Sequence, residues 1–386
     1  MKDAELYFFL SVLSDFIHKR KTIVKNSIEW KKIIDYARIH QVEGIIYYQC
    51  KEYLDEENVI LREKYAHTLY YSTNLEYVLK DIKDLFAENH ISFIFFKGSE
   101  IRSLYPIPQL RTMGDIDILI HTRDLKRAAE LLSSDNGLLD YDGKELQIRY
   151  KGILIELHDQ LFFESATSTK QIIEYGEKCW KNIGCVNNSY HFSLSPEYHF
   201  VYMLLHIRIH ILQSGIGFRQ FMDLAIMLNS YKLNWEYVAS EMKLFHLEHF
   251  LRVCINLCHY WFEVPIPELF KEIDLDTMSA ITEKMSQDGV FGFENDENKT
   301  NYIIQEINNH GKKWLFKSRL NSLFLPYNQM VKKRRYHYLK NMKWLLPYAW
   351  ADRIICNITK INTRNVFMNV DEEINHRNVY LRKWGL

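Results

Sequence analysis

The sequence predicts an α+β protein, with a small mixed-sheet core flanked by an N-terminal helical segment and a mostly α-helical C-terminal region. Two observations carry this prediction. Short apolar or alternating runs that end at turn residues, as strands do, are confined to residues 91–158. Helical periodicity dominates on both sides of that stretch. We therefore expect three segments, at 1–60, 61–190 and 191–386.

The composition is that of a globular chain long enough to bury a sizeable core. The 386 residues are 47% hydrophobic and 25% charged, with 14 Gly and 7 Pro, which excludes collagen-like and disordered proteins. Lys plus Arg number 49 and Asp plus Glu number 49, and this zero net charge excludes a wholly basic nucleic-acid coat. The six cysteines include no C-x-x-C pair, which fits a reducing environment, so we expect a cytoplasmic protein. No apolar run reaches the roughly 18 residues of a spanning helix, so we expect no transmembrane segment.

The elements before residue 190 follow from local patterns. The first 90 residues are helical in pattern, and a long helix without Gly or Pro is predicted from Glu56 to Asn89. The last two predicted strands form a hairpin that turns at Lys151 and Gly152. The predicted strands are Ile91–Phe96, Asp115–Ile120, Glu145–Tyr150 and Ile153–His158.

Helices are predicted again from Ser195 onward. Ser195, Pro196 and Glu197 supply an N-cap, a proline at the first helical position and an acid near the positive end of the helix dipole. Helical patterns continue to about Ile355, interrupted by glycines and prolines.

Two carboxylates on the second predicted strand indicate the chemistry. Side chains two residues apart share one face of a strand, so Asp115 and Asp117 point together, away from their apolar neighbours. Such a pair is repulsive unless a cation joins it, and Mg²⁺ typically uses one or two carboxylates plus substrate phosphates. Glu156, on the last strand of the hairpin, supplies a third acid. The alternative is a strand end whose acids face solvent or bond to loop amides.

The turn after the first predicted strand is suited to phosphate. Gly98 lacks a Cβ, so the backbone of Gly98 and Ser99 can approach a triphosphate and present N–H donors to it. Lys97 and Arg111 lie beside these elements and can neutralise phosphate charge. The alternative for both cations is a solvated position.

These residues resemble a known superfamily. Gly98-Ser99, Asp115-x-Asp117 and a third strand acid resemble the DNA polymerase β-like nucleotidyltransferases. More narrowly, most of the chain is similar to an uncharacterised bacterial nucleotidyltransferase family within that superfamily. The segments that carry this closer resemblance are Lys97-Gly98, Leu104-Tyr105-Pro106, Arg111-x-x-Gly114-Asp115-Ile116-Asp117-Ile118-Leu119, Leu204-Leu205-His206, His210, Gly215-Ile216-Gly217-Phe218-Arg219-Gln220 and Asp223-Leu224. The resemblance makes 61–190 a polymerase β-like nucleotidyltransferase core.

The resemblance implies transfer of NMP from an NTP to a hydroxyl acceptor, with release of pyrophosphate. Asp115, Asp117 and Glu156 would be the catalytic residues and would hold two Mg²⁺ ions, with Mn²⁺ as a substitute. The acceptor is left open among a small molecule, a glycan, a peptide and a tRNA. The nucleotide-binding residues implied are Lys97, Gly98, Ser99, Arg111, His206, His210 and Arg219.

The helical region allows alternative interpretations of these implied contacts. His199, His206 and His210 recur on roughly one helical face, but no Glu lies between the last two, so an H-E-x-x-H zinc site is absent. A packed or hydrogen-bonded histidine face is the alternative to nucleotide contact. Arg219 and Asp223 are four residues apart and can equally form a surface ion pair.

The third feature is a basic segment near the C-terminus. Residues 308–351 contain no acid, and lysines and arginines alternate with aromatic residues across 312–343. Such a segment can contact a polyanion such as tRNA, or a membrane surface. The alternative is a solvated helix face with aromatic residues turned to a core.

Two other functions remain open from the sequence. A metal-dependent glycosyltransferase also uses an Asp-x-Asp pair, there to bind a nucleotide-sugar. A catalytically inactive nucleotide-binding module is the second alternative.

Overall fold

The computed structural model describes residues 3–24, 28–54, 59–133, 138–141, 145–163, 168–185, 190–213, 215–270, 274–289, 327–330, 336, 338–339, 342–352 and 370–386. The chain divides into two compact units, one of Met1–Asn295 with Trp384–Leu386 and one of Asp296–Lys383. The predicted α+β class with a small mixed sheet is confirmed. The three-segment division at residues 60 and 190 stays a prediction.

The described helices are numbered in chain order. They are α1 (Ala4–Ile17), α2 (Trp30–Ile39), α3 (Glu43–Cys50), α4 (Val59–Glu88), α5 (Gly98–Ile101), α6 (Thr122–Leu132), α7 (Lys170–Glu177), α8 (Pro196–Gln213), α9 (Phe218–Ser230), α10 (Trp235–Leu244), α11 (Glu248–Phe262), α12 (Leu275–Asp288), α13 (Tyr327–Met330) and α14 (Val370–Trp384). The long helix predicted for residues 56–89 is α4, and the helix predicted to start at Pro196 is α8. Within the described part of the chain, no helix combines the length and apolar character needed to cross a membrane.

The sheet has seven strands in the order β3-β4-β5-β2-β1-β7-β6. The strands are β1 (Phe93–Phe95), β2 (Asp115–Ile120), β3 (Leu138–Tyr141), β4 (Leu146–Tyr150), β5 (Ile153–His158), β6 (Ile183–Cys185) and β7 (His191–Leu194). The sheet is mixed, because β2 pairs with β5 in parallel and with β1 antiparallel, while β1 pairs with β7 in parallel. The three strands β3, β6 and β7 were not predicted from the sequence.

The predicted hairpin is confirmed, and its turn explains the register. Lys151 has φ +47° and Gly152 has φ +83°, and two positive φ values in succession are those of a type I′ turn, whose twist matches that of the strands. As a result, Tyr150 pairs with Ile153 and Gln147 pairs with Glu156.

The main core lies on one face of this sheet. Alternate residues of β2 and β5, including Ile116, Ile118 and Ile155, pack there against Val78 and Phe86 of α4. Burying one such side chain contributes roughly 1.5–3 kcal/mol. The opposite face of the sheet therefore carries the side chains between them, which include Asp115, Asp117 and Glu156.

The second unit has a small buried cluster of its own. Among its described residues, Met330, Tyr336, Leu339 and Ala349 pack together. The basic segment 312–343 lies mostly outside the described residues, so its contact with a polyanion or a membrane stays a prediction.

Candidate active site

Three carboxylates come together on neighbouring strands. The parallel register of β2 and β5 sets Asp117 directly opposite Glu156, and Asp115 opposite Leu154. Asp115 and Asp117 are two residues apart, so they share a face of β2, and the residue between them, Ile116, lies in the core. The apolar alternation of both strands therefore determines where the carboxylates point.

Asp117 makes most of the contacts in this site. Its side chain is 5% exposed, and its Oδ1 accepts a hydrogen bond from Nζ of Lys97 at 2.6 Å and lies 3.2 Å from Nε2 of His158. Burial raises the pKa of Asp117, but Lys97 and His158 outweigh it and hold the pKa well below its usual range. The carboxylate is therefore ionised at neutral pH. The backbone N–H of Asp117 also donates to Oγ of Ser99, at 3.2 Å.

Lys97 reaches Asp117 through an uncommon backbone conformation. Its φ is +52° and its ψ is −133°, a combination that costs a non-glycine residue on the order of 1–3 kcal/mol and is concentrated at functional sites. The residue follows β1 and precedes α5, so this bend lets its ammonium meet the carboxylate on β2. Burial lowers the pKa of Lys97, but Asp117 raises it further, so the ammonium stays charged.

Glu156 lies among other acids. Burial first, and then the negative charges of Asp117 and Asp115, raise the pKa of Glu156 to about 8. Gln147 on β4 donates from Nε2 to Oε1 of Glu156 at 3.1 Å and to Oε1 of Glu145 at 2.9 Å. Carboxylates this crowded are destabilising until a proton or a cation neutralises one of them.

A group with the spacing of metal ligands lies within the described residues. Asp117, Glu156 and His158 each offer one ligand atom, and these atoms all lie within 4.8 Å of one another. The imidazole of His158 is 7% exposed, and its Nε2 lies 3.8 Å from Oε2 of Glu156. Asp115 is not in this group, but burial and the charge of Asp117 raise the pKa of its carboxyl. The electrostatics of the site thus favour a bound cation.

Arg111 is held by a buried ion pair behind the acids. Its Nε and Nη2 donate to the two carboxylate oxygens of Asp223 at 3.2 and 2.7 Å, and the side chains are 8% and 1% exposed. The hydroxyl of Tyr105 donates to Oδ1 of Asp223 at 2.7 Å. The alternative of a solvated Arg111 is therefore wrong, as is the alternative of a surface ion pair between Asp223 and Arg219, because Asp223 is buried and bound by Arg111.

The missing side chain of Gly98 leaves room for the guanidinium of Arg111. A Cβ added at Gly98 would lie 2.1 Å from Nη1 and 2.5 Å from Cζ of Arg111. The absence of a side chain thus lets the guanidinium pack against the start of α5. The packing of Arg111 is thus a second reason for glycine at this position, besides the predicted approach to phosphate.

Arg219 is a second cation on this side of the site. Its Nη1 donates to the carbonyl of Thr112, and no hydrogen-bond partner of its buried Nε is found within the described residues. Burial, and then the positive charge of Arg111, lower the pKa of Arg219 to about 10. A guanidinium in such surroundings favours an anionic ligand.

The predicted histidine face of α8 lies near Lys97. Nε2 of His206 and Nε2 of His210 are 3.0 Å apart, so one ring donates a proton and the other accepts it. Burial, and then His210, lower the pKa of His206 well below its usual value. Burial, Lys97 and Arg219 lower the pKa of His210 to about 4. Both rings are therefore neutral at pH 7, when they can exchange hydrogen bonds without adding charge.

With this geometry in place, comparison with known proteins identifies the family. A family model described as an uncharacterised nucleotidyltransferase matches residues 26–263. The chain belongs to this nucleotidyltransferase family. Membership makes the protein a transferase of the nucleotidyltransferase kind, for which the substrate is an NTP. No curated protein and no solved structure matches the chain.

The predicted catalytic and nucleotide-binding residues all lie in the first unit. They do not all contact one another. Lys97 and Ser99 contact Asp117, which itself lies opposite Glu156. Asp115 precedes Asp117 on β2. The remaining contacts are Gly98 with Arg111, Arg219 with Thr112, and His206 with His210. The catalytic and nucleotide-binding roles of all these residues stay predictions.

Two side chains of the candidate site have no role in the sequence prediction. His158 stands two residues after Glu156, on the same strand face, but no role follows from that spacing. Tyr105 was noted only within a short matching segment, and nothing in the sequence indicates that its hydroxyl meets a residue 118 positions later.

Proposed function

We propose that this nucleotidyltransferase catalyses Mg²⁺-dependent transfer of NMP from an NTP to a hydroxyl acceptor, with pyrophosphate as the leaving group. The observation that carries the proposal is the register of two buried strands, which sets Asp117 opposite Glu156 with Asp115 on the same face. A structural role explains this arrangement poorly, because burial, and then the charges of the neighbouring carboxylates, raise the pKa of Glu156 to about 8 and raise that of Asp115 as well.

The donor set fits divalent cations. Carboxylate oxygens suit Mg²⁺ and Mn²⁺, and Asp115, Asp117 and Glu156 would hold two such ions. Lys97 and His158 both contact the same carboxylate oxygen of Asp117, Oδ1. Bound magnesium would supply Lewis-acid stabilisation of the negative charge that develops on the phosphoryl oxygens.

The remaining residues bind and orient the substrate in this proposal. Lys97 is a half-buried cation within reach of the carboxylates, so it can pair with phosphate oxygens as well as with Asp117. Arg219 offers a guanidinium that Asp223 does not neutralise by a direct ion pair. His206 and His210, neutral and on α8, supply hydrogen bonds to the nucleotide or the acceptor.

Glu156 is the residue proposed to handle the acceptor proton. A positioned carboxylate can act as a general base, and Glu156 lies directly opposite Asp117 on the neighbouring strand. Once ionised, it accepts the proton of the attacking hydroxyl. His158, at 3.8 Å from Oε2 of Glu156, restrains the position of that side chain.

The proposal is tested by label transfer from α-labelled NTPs. The full chain is incubated with Mg²⁺, each of the four NTPs and fractions of a cell extract, and labelled products are separated and identified. The variants Asp115→Asn, Asp117→Asn and Glu156→Gln should each lower transfer by about 10³-fold or more, because the metal-held charge stabilisation is worth several kcal/mol. Asp84→Asn, an exposed acid paired with Lys80, is the matched control and should retain full transfer.

Folding is checked separately, since Asp117→Asn removes the partner of a buried ammonium. Thermal unfolding of each variant shows whether it is folded at the assay temperature. Glu156→Gln removes a charge from a crowded site and should remain folded. Undiminished transfer by folded Asp115→Asn and Glu156→Gln would refute the proposal.

A further inference from the structure

A cavity of about 310 Å³ opens between α4 and the loop that precedes β2. Its volume lies at the lower end of the range of small-molecule sites, so it has room for one small ring system. Gly114 forms part of its wall and is bonded directly to Asp115. The cavity is therefore next to the acids, although none of the predicted site contacts explains it.

Two aromatic rings of α4 line this cavity. His67 and Tyr71 are one helical turn apart, their ring centres are 6.5 Å apart and their planes differ by 9°. Flat heterocycles stack favourably on such rings, and the stacking depends little on which base is bound. Leu75 and Met113 add apolar surface to the wall.

The rest of the wall selects a ligand of low charge. Thr68 and Gln109 offer a hydroxyl and an amide that can bond to the edge of a heterocycle. Arg111 is also at the wall, but Asp223 neutralises its guanidinium. The wall thus favours a flat, uncharged ring with hydrogen-bonding edges over an anion.

Arg111 also connects the cavity to the turn predicted to bind phosphate. Its guanidinium lies against Gly98, and the residue also lines the cavity. On the acid side, the hydroxyl of Tyr71 donates to the carbonyl of Gly114 at 3.3 Å. The cavity and the turn at Gly98 therefore share Arg111, and Gly114 joins the cavity to Asp115.

We propose that this cavity binds the base of the NTP by stacking on His67 and Tyr71, with Thr68 and Gln109 at the edge of the base. The assignment rests on the proposed function, because it takes the NTP to be the substrate held at the acids. It adds the part of the chain that recognises the base, which neither the family nor the sequence motifs assign.

The test compares the four NTPs, which carry a base, with inorganic tripolyphosphate, which has the phosphates alone. Binding of ATP, GTP, CTP and UTP, and of inorganic tripolyphosphate, is measured by calorimetry with Mg²⁺ present. The variant His67→Ala/Tyr71→Leu should bind the preferred NTP about 10- to 100-fold more weakly, the loss expected for one stacked base. Tripolyphosphate affinity should change less than twofold. Tyr71→Phe keeps the ring and should retain NTP affinity.

The control is Tyr70→Ala, which removes a ring that is 79% exposed on the same helix and should leave both affinities unchanged. NTP affinity that the double variant leaves intact would overturn the base assignment, as would an equal loss for NTP and tripolyphosphate. Failure of the unaltered protein to bind either ligand with Mg²⁺ would overturn the proposed function itself.

Discussion

Replacing Gly98 by alanine tests the packing at the centre of the site. The new Cβ would lie 2.1 Å from Nη1, 2.5 Å from Cζ and 2.8 Å from Nη2 of Arg111. Because the arginine side chain is flexible, it can move away from these contacts. That movement takes the guanidinium out of its geometry with Asp223, and the cost of the substitution is therefore the cost of disturbing this ion pair.

The exposures of the two side chains set the magnitude. At 8% and 1% exposed, Arg111 and Asp223 form a buried pair, and breaking such a pair is destabilising by about 3–5 kcal/mol. The hydroxyl of Tyr105 remains on Asp223 at 2.7 Å, which reduces the loss. We therefore expect Gly98→Ala to lower the free energy of unfolding by about 3 kcal/mol.

The assay is urea unfolding of the full chain, followed by circular dichroism. Gly184→Ala is the matched control, because nothing lies within 4 Å of a Cβ added at Gly184, and its unfolding free energy should change by less than about 1 kcal/mol. In an Arg111→Ala background the clash no longer exists, so Gly98→Ala should then cost under about 1 kcal/mol, which gives a coupling of about 2–3 kcal/mol between the positions.

Two results would refute this reasoning. One is a Gly98→Ala variant as stable as the Gly184→Ala control. The other is an equal cost of Gly98→Ala with and without Arg111, which would place the effect in the backbone of α5 and not in the ion pair.

Three further predictions concern other parts of the chain. The raised pKa of Glu156 means that the folded, metal-free protein holds a proton that the unfolded chain releases, so the contribution of Glu156 to stability should fall by on the order of 1 kcal/mol per pH unit as pH rises from 5 to 8. This contribution is measured as the difference in unfolding free energy between the unaltered protein and Glu156→Gln, because the lowered pKa values of His206 and His210 change the stability of both in the opposite direction; parallel pH profiles would contradict the cause given. Tyr105→Phe should lower the free energy of unfolding by about 1.5–3 kcal/mol, because the buried carboxylate of Asp223 loses a donor, and urea unfolding that shows no loss would mean the hydroxyl is not bonded there. If 312–343 contacts RNA, tRNA affinity should fall steeply with salt, and replacing the four cations at 332–335 by glutamine should reduce the slope by roughly 0.7–0.9 per lost phosphate contact; a flat salt titration would exclude that contact.

The sequence predicted the elements that depend on local pattern. β2, α8 and the hairpin at Lys151 and Gly152 were predicted because alternation, capping residues and turn residues specify them within a few positions. The short strands β6 and β7 were missed. β6 has three residues with a glycine at its centre, and β7 exists through its parallel pairing with β1, almost a hundred residues earlier, which no local pattern reports.

In the candidate site too, local pattern predicts some features and not others. The shared face of Asp115 and Asp117 follows from strand alternation alone, and the structure places both residues as that alternation requires. The partner of Arg111 does not follow from any local rule, because Asp223 lies 112 residues away. Helical spacing allowed Arg219 as a partner of Asp223, but Asp223 pairs with Arg111, and Arg219 donates to the carbonyl of Thr112.

Core residues and acids alternate along β2 and β5. The same strand register therefore positions the acids and keeps the core intact. A slip of one residue between these strands would move Glu156 into the apolar layer and Ile155 out of it. No intermediate position is available, since side chains on a strand alternate strictly. The spacing of the acids should consequently persist on heating until the sheet itself unfolds, and loss of activity should coincide with global unfolding.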